Sequence, residues 1–130
     1  MNELEKLRSG LAEIHVTFKA DSKTIDEALK EILEAEQAIG LTPWKRVEGY
    51  ALVPSREAAV IGLPHLRIAR FDDLMTIWVR APYALDEGLC RGVDLDVEGL
   101  YDLLLKGAVQ AVEILKKHLR KNDVLQVSLP

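Results

Sequence analysis

The chain predicts an α+β domain, an antiparallel sheet with two helices packed on one face. Three features carry that expectation. A segment near the start alternates apolar and polar residues with the period of a strand. Two longer segments show the 3.6-residue apolar period of amphipathic helices. Between them, residues 46–81 alternate in short runs separated by turn residues, the pattern of an antiparallel meander.

The elements follow in order. Residues 2–9 suit a short helix, with Leu4, Leu7 and Leu11 on one side and Gly10 after it. In "AEIHVTFKA", Ala12, Ile14, Val16 and Phe18 face one way and Glu13, His15, Thr17 and Lys19 the other, a half-buried strand. "DSKTIDEALKEILEAEQAIG" is a helix. Thr24 and Glu27 have the spacing of a capping box, and Gly40 supplies a left-handed stop. Its stripe is Ile25, Ala28, Leu29, Ile32, Leu33 and Ile39, and the opposite face is mostly acidic.

"LTPW" reads as a turn held by Pro43, followed by a strand from Arg46 to Val53. A turn at 54–57, a short strand near 58–61, a second turn at 62–65 and a strand at Leu66–Phe71 come next. Asp72 and Asp73 suit a tight turn into a strand over Leu74–Ala81. Residues 82–95 have no periodicity. From Asp96 to about Lys121 runs a helix so apolar that it must be buried on more than one side. A last strand alternates Leu125, Val127 and Leu129 with Gln126 and Ser128.

This order is strand–helix–strand, an inserted hairpin, then strand–helix–strand. It is similar to the ferredoxin-like element order, in which two split units build one sandwich. The alternative is a continuous meander wrapped around the long C-terminal helix. A similarity of element order does not define function.

A chain of this length reads as one domain spanning 1–130. Its hydrophobic fraction of 48% and charged fraction of 29% are those of an ordinary globular protein rather than a disordered one. The net charge is −4, concentrated in residues 1–44, where five basic residues face nine acidic ones. With no basic tail or run, nucleic-acid binding is disfavoured. The single cysteine, Cys90, excludes an internal disulfide and fits a reducing compartment. No apolar run approaches a membrane span and no signal-peptide pattern opens the chain, so a cytoplasmic protein is expected.

Function should sit on the sheet face that the helices leave bare. Glu13, His15, Thr17 and Lys19 belong there, with Arg46, Glu48 and Tyr50, then Thr76, Trp78 and Arg80, and Gln126 and Ser128. Tyr, Trp and Arg are the residue types enriched at binding hot spots. One reading is self-association, a homo-oligomer closed through this face or the apolar helix. A second is a site for a small anionic ligand, or a small enzyme, at a subunit boundary. There His15 would act as acid/base, Arg46 and Arg80 as anion anchors, and Tyr50 and Trp78 as a wall, with residues 82–95 as a lid. A third is single-stranded RNA stacked on Tyr50 and Trp78, which the acidic balance opposes. Non-catalytic binding or assembly is the expectation.

Other constellations have plainer explanations. Asp94, Asp96 and Glu98 alternate as oxygen ligands can, but acids ahead of a helix are ordinary caps. Cys90 sits beside Arg91 without a base in view. His15, His65 and His118 make no metal spacing, so no metal site is expected. No phosphate loop or nucleophile elbow is present, and no motif indicates a cofactor.

Overall fold

A computed structural model describes residues 13–47, 49–54, 64–80 and 97–129. It contains six strands and two helices: β1 (His15–Lys19), α1 (Ser22–Ala38), β2 (Thr42–Arg46), β3 (Gly49–Val53), β4 (His65–Phe71), β5 (Leu74–Arg80), α2 (Val97–His118) and β6 (Val124–Ser128). All strands join one antiparallel sheet in the order β2-β3-β4-β5-β1-β6. The α+β class is therefore as the sequence predicts. Strands β2 to β5 form a four-strand meander. The first and last strands pair with each other, and β1 joins them to the meander through β5.

Both helices pack on the same side. Val16 and Phe18 of β1, Leu52 of β3, Leu66 and Ile68 of β4, and Met75 and Ile77 of β5 form one buried cluster with residues of both helices. From α1 come Ile25, Ala28 and Ile32. From α2 come Tyr101, Leu104, Ala108, Ala111 and Leu115. Helix α2 lies against the sheet and α1 together, which accounts for its wide apolar surface.

Several boundaries differ from the expectation. The proline of "LTPW" lies inside strand β2, not in a turn. Strand β2 is the edge of the sheet, where a missing N–H is tolerated. The single strand expected over Arg46–Val53 is instead a hairpin, with β2 and β3 paired from Thr42↔Val53 to Arg46↔Gly49. At Gly49 an added Cβ would run into the Ile68 carbonyl oxygen, so only glycine permits this approach of β3 to β4. The cap of α1 is Asp21, whose carboxylate accepts the Thr24 N–H at 2.7 Å, rather than Thr24. Thr24 is instead buried inside the first turn. Gly40 does stop α1, at φ +99°. Asp72, at φ 48°, makes the β4–β5 turn as expected.

Helix α2 ends at His118, and a turn through Arg120–Asp123 follows, where the Arg120 N–H donates to Asp123 Oδ2 at 2.9 Å. No described helix is long and apolar enough to cross a membrane. The helix expected at 2–9, the strand near 58–61, the loop at 82–95, and Glu48, Cys90, Asp94 and Asp96 lie outside the described residues.

Candidate binding face

Strand pairing determines which side chains share the face that the helices leave uncovered. Across its middle runs one row of register partners: Ser128, His15, Trp78, Arg67, Ala51 and Trp44. The next row is Gln126, Thr17, Thr76, Ala69, Gly49 and Arg46. Each row is built by alternation: a strand turns its core residue toward the helices and its next residue outward.

Two arginine–indole pairs stand on this face. The Arg67 guanidinium lies 5.0 Å from the centre of the Trp78 ring, and Arg46 lies 5.4 Å from that of Trp44. Both are within cation–π range. Three interstrand steps of about 4.8 Å set the two tryptophans about 14 Å apart. Between them Ala51, Ala69 and Gly49 leave the sheet low. A hollow of about 110 Å³ lies there, between Arg46 and Arg67, with His65 at its edge and Gly49 and Ala51 beneath it. A second cleft, of about 340 Å³, opens beside His15, Thr76 and Trp78, with Glu13 at its border.

The electrostatics of the two layers are opposite. Lys19, Arg46 and Arg67 belong to the open face by register, and no strand residue there is Asp or Glu. Helix α1 carries Asp26, Glu27, Glu31, Glu34 and Glu36 against Lys23 and Lys30. The net charge of −4 thus averages over an acidic helical layer and a basic sheet face.

The residues expected at the site are distributed as follows. His15 and Trp78 are direct cross-strand partners on the open face. Arg46 is on that face at the β2 edge. Arg80 closes β5 opposite His65. Tyr50 is not on the face. It pairs with Ile68 and packs against the core, because Arg46 pairs with Gly49 and the residue after Gly49 therefore turns to the opposite side. Four interstrand steps, about 19 Å, separate His15 from Arg46. His15, Trp78 and Arg46 are spread across the sheet and do not converge on one point.

Arg67, Trp44 and His65 are not among the expected site residues. For Arg67 and His65 the signal is present, since "HLRIARF" places them at alternate, outward positions of a strand. For Trp44 it is hidden by Pro43, which reads as a turn. Glu36 is also unexpected. It is fully buried, its two carboxyl oxygens have no partner among the described residues, and burial pushes its pKa up to about 8. Its Oε2 lies 2.6 Å from where a Cβ on Gly107 would be. The spacing from Ile32 and Leu33 already puts it within the apolar stripe.

Another hollow, of about 400 Å³, lies on the helix side of the β2–β3 hairpin, beside Leu29, Lys45, Tyr50 and Arg70. There Arg70 is committed to α1. It pairs with Asp26 and donates to Ser22 Oγ at 2.6 Å. Among the described residues no three His, Cys, Asp or Glu side chains stand close enough to hold a metal. The chain matches no known family model, and no curated protein sequence matches it.

Proposed function

We propose that this protein is a non-catalytic binding module whose open sheet face takes an anionic partner. The supporting observation is the segregation of charge, with Lys19, Arg46 and Arg67 on a face without an acidic strand residue. The linear spread of His15, Trp78, Arg67 and Trp44 favours an extended contact over a catalytic pocket. The single cysteine supports a reducing compartment, and we place the protein in the cytoplasm.

The test is retention on phosphocellulose at pH 7 and low salt. The wild type should bind this anionic matrix despite its net charge of −4. The double variant Arg46→Glu/Arg67→Glu should flow through with an unchanged circular dichroism spectrum. Passage of the wild type through the column overturns the reading.

Self-association is a second reading, favoured at a different surface. Two copies of the open face would bring like charges together, an arrangement that is costly at an interface. Strand β6 is an uncharged edge, "VLQVS", with Val124 and Val127 each more than two-fifths exposed. The opposite edge, β2, carries Pro43, Lys45 and Arg46, the residues that discourage edge pairing. A second copy added along β6 would extend the sheet and leave the basic face open.

A further inference from the structure

We propose that the partner of the open face is single-stranded nucleic acid, with bases stacked at Trp78 and Trp44 and phosphate held between Arg67 and Arg46. This rests on the reading of that face as an anion-binding surface and assigns its ligand. Three observations lead there.

The first is charge complementarity. The face offers guanidinium and ammonium groups on its strands, and the carboxylate of Glu13 stands at the border of the His15–Trp78 cleft, away from Arg46 and Arg67. A phosphodiester chain presents a regular row of anions to such a surface.

The second is that each guanidinium is already laid on an indole, at 5.0 Å for Arg67 and 5.4 Å for Arg46. A planar cation over an aromatic ring forms a platform for another planar π system. Nucleobases are such systems, and they stack on both indoles and arginine planes. An acidic peptide would use the arginines but has no use for two tryptophans. Duplex bases are already stacked on each other and offer no free face.

The third is the hollow between the pairs. Its volume is about 110 Å³, and Arg46 and Arg67 bound it. It corresponds to roughly four waters at about 30 Å³ each, room for a phosphate group. The small residues Gly49 and Ala51 bring the backbone to its floor. A strand lying along the row would place bases at its two ends and phosphate over its middle.

The experiment uses the full chain and a short, fluorescein-labelled oligouridylate, which forms no internal pairs. Anisotropy reads binding. Indole fluorescence reports on the face directly, because the chain has two tryptophans, Trp44 and Trp78, and both are on it. The oligonucleotide should quench that fluorescence on binding. Trp78→Leu or Trp44→Leu should weaken binding by about 5- to 100-fold. Arg67→Gln or Arg46→Gln should weaken it and lower the salt dependence by about 0.7 in the logarithmic slope for each phosphate left unneutralised. Lys30→Gln, the same charge change on the helical layer, should leave binding unaltered.

Inorganic polyphosphate, polyglutamate and a duplex of equal length serve as competitors. If polyphosphate or polyglutamate binds as tightly and the tryptophan variants match wild type, the nucleic-acid assignment fails and the anion-binding reading stands. Equal affinity for the duplex likewise overturns base stacking. If no anionic ligand binds at low salt, both proposals fail. Should Trp78→Leu not fold, Trp44→Leu and Arg67→Gln decide the same question from the other strands.

Discussion

Glu36 places a carboxyl group where the helical period calls for an apolar side chain. It lies on α1 against Gly107, with the Leu41 and Leu66 side chains around that same point. A charge there would lose its hydration, so the folded protein keeps the proton until about pH 8. The unfolded chain releases it near the ordinary carboxylate value of 4.5. Between those values the unfolded state binds fewer protons, so stability falls as pH rises through that window and levels off above it. Glu36→Gln removes the titration at nearly constant shape. It should raise the melting temperature at pH 9 by several degrees, a gain on the order of 2 kcal/mol. At pH 5 the two proteins should melt together. A gain of equal size at both pH values would mean that the side chain acts through packing and not through its proton.

Among the elements, ion pairs tie α1 to the sheet and to the second helix. Arg70 of β4 holds Asp26 of α1, and Glu31 of α1 meets Lys117 and His118 at the last turn of α2. Hydrogen bonds from Lys117 first and His118 second hold the Glu31 carboxyl below its usual value. The contribution is therefore fully present above the ordinary carboxylate value of 4.5 and is lost as pH falls through the lowered one. Glu31→Gln should lower the melting temperature at pH 7 and converge with wild type in strong acid. A pH-independent difference would show that the pairing of charges is not what matters.

Strand β6 carries the other prediction for a single element. A lysine at the exposed edge discourages strand addition. Val127→Lys should therefore reduce the solution mass to that of one chain if β6 is the assembly edge. An oligomer of unchanged size would move assembly to another surface.

For the molecule as a whole, the decisive property is the separation of charge between layers, and the chain's total conceals it. Alternation within β1 and β5 places His15, Thr17, Thr76 and Trp78 on the open face correctly, because a period of two needs no tertiary information once a strand is known. Tyr50 shows how that reasoning fails. One unrecognised hairpin turn between Arg46 and Gly49 shifts the phase, and the residue goes to the core side. Glu36 shows a different failure, since composition rules place a carboxylate outside even when its spacing places it within the stripe.

Local period and local backbone geometry are properties of short stretches of chain. They were enough to give the α+β class, the inward faces of β1, β5 and both helices, and the stop of α1 at Gly40. The row of Trp78, Arg67, Ala51 and Trp44 has no such local origin. It joins residues of four strands, and which strands become neighbours depends on how the chain closes its core. The pairing of β1 with both β5 and β6, and the position of Pro43 on an edge, are likewise consequences of burying both helices against one face of the sheet.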